Sequence, residues 1–379
     1  MSDSTAVGPP IDLPILDISN PEDSTAGKAM LDAATKYGFL YVDSRGTDFT
    51  VEDVQKAFER SKGFFASPLK EKDHCRIQSN NRGWSGMHSE TLDPENQRTG
   101  DFKEAFNFGE FNAGKAQQPL PPSLSPHESE IGHFADLCTK TCNRILKLLS
   151  LGLEISPDFF TTRHDPSKGS TGCTLRYLYY PSISAPATAK YDHAVDVRAG
   201  AHSDYGSITL LFQRPGQPGL EILTPSETWA PVPVEPTKQT SSTTSNPLAD
   251  SSFAFPPILV NIGDLLSYWT DGLLKSTVHR VVFPISERTG SSSQDRYSIV
   301  YFCHPLDSTE LVPVPSAVVK TYREEKGVAR TTAGVGEEEK VGFGGGAGNL
   351  EPGKRALTAS EHLGLRLNAT YDFRRGGSA

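Results

Sequence analysis

The sequence predicts a mainly-β protein with flanking helices, its core a sandwich or barrel, and three observations carry that prediction. Between Leu175 and Pro305, short runs rich in β-branched and aromatic residues follow one another across turn signals: "LRYLYYP", "SITLLFQ", "LEIL", "PPILVNIG", "STVHRVVFP" and "DRYSIVYFCHP". Upstream of them the apolar spacing is helical. At 379 residues the chain is long enough for one large core with extensions, and length alone does not require two.

In chain order, residues 1–12 are expected to be disordered and "LPILDIS" (13–19) to form a short strand. "AGKAMLDAATKYG" (26–38) has the spacing of an amphipathic helix ended by Gly38, and "FLYVD" returns to strand character. A second helix covers 50–66, and Asp73 to Asp101, with Gly83 and Gly86, reads as a polar loop. The longest helical pattern runs over 127–153, where Phe134, Leu137, Ile145, Leu148 and Leu149 recur as a core-facing stripe. Residues 237–252 and 326–353 are polar, low-complexity sequence and read as flexible insertions that need no packed core. Thr358 and Glu361 make a capping box ahead of a last helix, 358–370.

The apolar fraction is 36%, below the usual ~45–50%, and 33 Gly and 28 Pro account for much of the difference, so a core can still form. A formal charge of −9 spread along the chain, with no Lys/Arg cluster interleaved with aromatics, argues against a nucleic-acid surface and for a small-molecule partner. No apolar run approaches the ~20 residues that span a bilayer. Five cysteines, Cys75, Cys138, Cys142, Cys173 and Cys303, are an odd number without framework spacing. The N-terminus also lacks a basic region followed by an apolar one, so a cytoplasmic location is expected. Cys138 and Cys142 have no second Cys/His pair nearby and read as core residues. Oligomeric state is not legible.

The chemistry concentrates in the β-rich half. His202 and Asp204 are two apart at the mouth of a strand, and a strand sets side chains i and i+2 on one face. Alone the pair is a weak signal, because His-x-Asp occurs by chance and a strand histidine is more often a satisfied polar residue than a ligand. His279 stands on a strand face otherwise formed by Thr277, Val281 and Phe283, where a buried imidazole needs a partner. Two histidines and a carboxylate on neighbouring strands make a facial triad with open coordination positions, the arrangement of non-haem Fe(II) oxygenases. Arg296 and Ser298 share a face with Val300 and Phe302 and with no acidic residue. A buried guanidinium there requires an anion, and a ligand carboxylate is the natural one. A surface arginine on an edge strand is the alternative.

These residues, set in "HSDYGSITLLFQ", "VNIGDLLSYWTDGLLKSTVHRVV" and "DRYSIVYFCHP", resemble the Fe(II)/2-oxoglutarate-dependent dioxygenases of the isopenicillin N synthase-like type. "LPILDIS", "YGFLYVDSRG", "GFFASPLKEK" and "DFKEAFNFGE" are similar to that family's N-terminal region. The resemblance implies a double-stranded β-helix, or jelly-roll, core at 170–306, after an N-terminal non-haem dioxygenase region at 13–125 and a buttressing helix and linker at 126–169. A C-terminal extension, 307–379, completes the chain. It implies Fe(II) on His202, Asp204 and His279, with no catalytic residue beyond the metal centre, and the distal carboxylate of 2-oxoglutarate on Arg296 and Ser298. Tyr180 falls where the family often contacts the same cosubstrate; Arg176, on the face of Tyr180, could reach substrate or cosubstrate, and Phe302, facing inward beside Arg296, could stack on a planar substrate. For these three, barrel packing or, for Arg176, a structural salt bridge is the competing reading.

The implied reaction uses O2 and splits 2-oxoglutarate to succinate and CO2 while a small organic molecule is hydroxylated or desaturated. Two other functions stay open. One is an oxidase of the isopenicillin N synthase or ethylene-forming type that does not use 2-oxoglutarate; the other is a non-catalytic small-molecule binder. Succinate release separates the 2-oxoglutarate-dependent dioxygenase from the oxidase. Within the family the wording is most similar to fungal and bacterial members, thymine dioxygenase among them, with one departure: Cys173 stands where that enzyme carries an Asn, three positions before Arg176. A thiol is a poor substitute for an amide, and a fungal secondary metabolite is at least as plausible a substrate as thymine.

Overall fold

A computed structural model of the chain describes residues 7–236, 255–288, 293–332, 347 and 355–370. Fourteen strands are present among them: β1 (Ile15–Leu16), β2 (Phe39–Val42), β3 (Gly83–Ser85), β4 (Glu104–Phe108), β5 (Phe111–Asn112), β6 (Lys115–Ala116), β7 (Thr174–Tyr180), β8 (Ala199–His202), β9 (Ile208–Gln213), β10 (Leu220–Leu223), β11 (Trp229–Pro231), β12 (Ile258–Ile262), β13 (His279–Val281) and β14 (Arg296–Cys303). The α-helices are α1 (Ser24–Lys36), α2 (Val51–Phe65), α3 (Leu69–Asp73), α4 (Glu128–Gly152), α5 (Asp264–Trp269), α6 (Ala317–Thr332) and α7 (Ala359–Thr370). An eight-stranded sheet in the order β1-β2-β12-β9-β14-β7-β4-β3 faces a four-stranded sheet, β11-β10-β13-β8, and β5 pairs with β6 alone. This is the double-stranded β-helix core with helices outside it.

Alternation along the strands builds two cores from one sheet. On β14, Ile299, Tyr301 and Cys303 face outward with Leu175 and Tyr177 of β7 onto α2 and α4, where Phe49, Phe134 and Phe212 pack together. Val300 of β14 and Leu178 and Tyr180 of β7 face inward, towards Ala199, Leu220, Ile222 and Val281 of the small sheet. The inner layer holds the pocket.

The helix boundaries follow their caps. Asp23 accepts from the amides of Thr25 and Ala26, so α1 begins ahead of the apolar pattern. Thr50 and Asp53 form a full capping box on α2, and Thr358 and Glu361 do the same for α7. Gly38 lets the chain turn from α1 straight into β2: its φ is +68°, and a Cβ there would lie 2.1 Å from the Lys275 carbonyl oxygen.

Several expectations are corrected. Residues 7–12 are not disordered: Gly8 N donates to Trp229 O and Ile11 N to Pro231 O, laying the segment along β11, while residues 1–6 lie outside the described residues. Within 326–353, α6 takes in residues up to Thr332 and Ala347 is buried in the outer core, so the stretch is not uniformly an insertion free of packing. Residues 237–252 lie outside the described residues. The polar loop from Asp73 contains β3, and it folds onto β8 so closely that a Cβ on Gly200 would meet Gln97 Oε1 at 2.3 Å.

Three buried histidines away from the pocket set an acid limit. His164 Nδ1–H donates to Phe160 O (2.8 Å), and Nε2 accepts from Ser207 Oγ (2.9 Å). Burial pushes His164 down to about 4, His304 to about 3 and His362 to about 4. Unfolded, each titrates near ~6.5. Their stabilising contribution is therefore full above that value and is lost as pH falls through 6 towards the folded values, because the unfolded chain binds the extra protons. Near pH 5 the three together give a slope of up to ~4 kcal/mol per pH unit. Urea midpoints measured from pH 7 to 5 are expected to fall steeply, and His164→Gln to fall less steeply; equal slopes would contradict this origin.

Candidate metal centre

The pairing of β8 with β13 places His202 directly opposite His279, so the two imidazoles arise from neighbouring strands in register. Their ring centroids are 4.3 Å apart. Asp204 is not on the strand: β8 ends at His202, and Asp204 reaches the same point from the turn that follows. Its Oδ1 lies 3.8 Å from His202 Nε2 and 3.8 Å from His279 Nε2, and one donor atom from each residue falls within 4.8 Å of the others. Donors ~2.1 Å from one metal and at right angles around it stand about 3 Å apart, close to these spacings. Among the described residues this is the one His/Cys/Asp/Glu group so placed.

Hydrogen bonds aim each donor inward. His202 Nδ1 is 2.8 Å from Gly200 O and His279 Nδ1 is 3.1 Å from Thr277 O, so each Nδ1–H donates to a carbonyl and each Nε2 keeps its lone pair for a metal. Asp204 Oδ2 accepts from Thr209 Oγ1 at 2.7 Å and Asn261 Nδ2 at 2.8 Å, which leaves Oδ1 facing the histidines. Burial raises the Asp204 carboxyl, but the two imidazoles and these two hydrogen bonds outweigh it and the net shift is downward. Burial, then the neighbouring His279, holds His202 well below the usual histidine range. An ionised Asp204 and a neutral His202 are the protonation states that a metal site needs.

The same cavity continues between the sheets to a second polar end. Arg296 opposes Tyr180 across β14 and β7, with the guanidinium 5.0 Å from the tyrosine ring centroid. Only 2% of Arg296 is exposed, and it donates to Gln217 O (3.2 Å), Ser298 Oγ (3.4 Å) and Gln213 Oε1 (3.4 Å). Burial pulls its pKa down, and no carboxylate among the described residues forms an ion pair with it. Such a guanidinium is matched to an incoming carboxylate. Leu211, Leu220, Val281 and Val300 line the passage between it and the histidines.

All eight residues singled out from the sequence line this one cavity. Arg176 lines it while ion-paired to Glu90 (3.1 Å) and bonded through Nε to Asn107 Oδ1 (2.6 Å), and it lies 5.7 Å from the Phe302 ring centroid. Sequence reasoning missed Lys103, which also lines the cavity, is 4% exposed and is ion-paired to Asp101 and to Glu90 (3.0 Å). It missed Thr209 and Asn261 as well. Cys173 is turned away: its Sγ is 3.2 Å from His304 N and 3.4 Å from His304 O, and it does not line the cavity.

Comparison with known proteins agrees with this geometry. Residues 13–128 match the family described as the N-terminal region of non-haem dioxygenases in morphine synthesis, and residues 243–305 match the 2OG-Fe(II) oxygenase superfamily. UPF0676 protein C1494.01 of Schizosaccharomyces pombe is 32% identical over 341 residues, 88% of this chain and 92% of its own length. The 2-oxoglutarate-dependent dioxygenase htyE of Aspergillus rugulosus is 28% identical over 310 residues, 77% of this chain and 85% of its own. The solved structure of the full-length thymine 7-hydroxylase of Neurospora crassa with alpha-KG and 5-formyluracil superposes with a TM-score of 0.68 at 25% identity, over 98% of this chain and 100% of that one.

Proposed function

The chain belongs to the 2OG-Fe(II) oxygenase superfamily, and we propose that His202, Asp204 and His279 hold its iron while Arg296, Ser298 and Tyr180 hold the distal carboxylate of 2-oxoglutarate. As a 2-oxoglutarate-dependent dioxygenase it couples decarboxylation of the cosubstrate to oxidation of a second molecule, and the bound Fe(II) supplies the O2 activation. The chain's residues do the rest. Thr209 and Asn261 fix the carboxylate so that one oxygen stays available, and the Gly200 and Thr277 carbonyls fix both histidine tautomers. Arg296 orients the cosubstrate along a passage whose apolar walls exclude water. One observation carries the assignment: a buried arginine with no acidic ion-pair partner among the described residues faces the same cavity as the triad.

The substrate is a small organic molecule that is hydroxylated or desaturated, seated where Phe302, Phe39 and Leu92 meet Arg176 and Lys103. The Neurospora crassa hydroxylase is solved with a planar pyrimidine bound, which supports a small, flat molecule here. A cytoplasmic location is supported by five free cysteines and no disulfide. No helix among the described residues is long and apolar enough to cross a membrane. The test is incubation of the Fe(II)-loaded chain with 2-oxoglutarate and a metabolite extract. Succinate together with a product shifted by one oxygen or by two hydrogens is expected, whereas a product without succinate would favour an oxidase. Once a substrate is known, Phe302→Ala is expected to raise its KM about 3–10-fold by losing ring stacking. The KM for 2-oxoglutarate should stay unchanged; a shift in it would move Phe302 to the cosubstrate end.

A further inference from the structure

Ser203 sits between two metal ligands, and the C-terminal helix reaches it from behind the cavity. We propose that Arg366 of α7 is a positioning residue for the metal centre, so that docking of the C-terminal helix and metal affinity form one coupled equilibrium. The inference rests on the metal reading of His202, Asp204 and His279.

The coupling runs through Asp264, the first residue of α5. Arg366 Nη2 lies 2.5 Å from Asp264 Oδ2 and donates to Ser203 Oγ at 3.2 Å, while Ser203 Oγ donates to Asp264 Oδ2 at 3.1 Å. The other carboxylate oxygen accepts from Ser276 Oγ at 2.6 Å. The Asp264 amide donates to Asp204 O at 2.7 Å, and the Leu265 amide to Tyr205 O at 3.2 Å. One carboxylate therefore ties together the 203–205 turn, which carries Asp204, and the segment leading to His279 three residues after Ser276. Asp264 is 4% exposed, Ser203 8% and Ser276 2%. A carboxylate buried this deeply needs a counter-charge to stay where it is, and Arg366 supplies it. The guanidinium also stacks 5.0 Å from the ring centroid of Tyr205, one residue beyond Asp204.

Arg366 is itself held in place two turns into a well-anchored helix. Ala359 N donates to Thr309 O at 2.8 Å, Leu311 N donates to Leu357 O at 2.8 Å, and the Thr358–Glu361 box closes the N-terminus. Remove the Arg366–Asp264 pair and the ligand turn loses its rear support while both histidines keep their carbonyl partners. Linkage is reciprocal: whatever Arg366 adds to metal binding, metal adds to the docking of α7.

The experiment titrates the metal-depleted full chain with Co(II) by calorimetry and follows hydrogen exchange over 359–367 with and without Co(II). Arg366→Met is compared with Arg366→Lys and with the double variant Asp264→Asn/Arg366→Met, which leaves no unpaired buried carboxylate and so keeps a foldable reference. Outer-sphere partners typically contribute 10–100-fold in metal affinity. The Co(II) Kd is expected to rise about tenfold or more in Arg366→Met and in the double variant, with partial rescue by Lys. Co(II) is expected to slow exchange in α7 of the unsubstituted chain but not of the double variant. Unchanged Kd in the folded double variant, or α7 exchange indifferent to Co(II) in the unsubstituted chain, overturns the inference. His202→Ala separates the two levels. If it loses Co(II) while the Arg366 variants do not, only the coupling fails; if the unsubstituted chain binds no Co(II), the metal reading fails and the coupling with it.

Discussion

Asp204→Asn is expected to abolish succinate formation and to weaken metal binding by two orders of magnitude or more, although the change is isosteric. The reason lies on the far side of the carboxylate. Thr209 and Asn261 both donate to Oδ2, so an asparagine must turn its carbonyl oxygen towards them. Its NH2 group, which has no lone pair to give, then points at His202 and His279. A group that fills the same space thus supplies no ligand and removes the charge that balances a dication. Succinate assays and Co(II) titration check it. Full activity in Asp204→Asn would remove Asp204 from the ligand set, and near-full metal affinity would mean that the two histidines suffice.

Arg296→Met is expected to raise the KM for 2-oxoglutarate by about 30–100-fold, equivalent to the ~2–3 kcal/mol of a charge-assisted bidentate contact, while metal affinity stays unchanged. Lysine should recover only part of it, because an ammonium keeps the charge and loses the planar fork. Stability should move the other way. Arg296 is buried with no carboxylate among the described residues ion-paired to it, so removing it should leave the cosubstrate-free chain at least as stable. Thermal melts with and without 2-oxoglutarate resolve the two effects. A large fall in Tm without cosubstrate would show that Arg296 is a structural residue, and a shift confined to the second substrate would favour the oxidase reading.

His279 and Arg296-x-Ser298 were legible because polar side chains on strand faces that are otherwise apolar have few innocent explanations, and His202-x-Asp204 was legible through its combination with them. The six strand runs between Leu175 and Pro305 were legible from their β-branched and aromatic content, whereas the short strands β3, β5, β6 and β11 carry too few residues to leave a pattern. Asp204 reached the right point by a route the sequence did not indicate, from a turn beyond β8, and what directs it is the pair of bonds from Thr209 and Asn261. Asn261 belongs to β12, 57 residues away, and only the β9–β12 register brings it near. Glu90 and Lys103 were hidden differently. A loop with no periodicity carries Glu90 to Arg176, and that long-range pairing leaves no trace in local spacing. Residues 7–12 look disordered by composition yet are ordered by backbone bonds to β11, which any sequence can make.

On the proposed assignment, one cavity holds a metal at one end and a 2-oxo diacid between that metal and Arg296. Calorimetric titration of 2-oxoglutarate into the chain under argon, Fe(II)-loaded and metal-free, tests it without knowledge of the substrate. Binding that is tight with Fe(II), at least tenfold weaker without it, and lost in both Asp204→Asn and Arg296→Met is the result predicted. Equal affinity with and without Fe(II), or unaltered affinity in Arg296→Met, would contradict it.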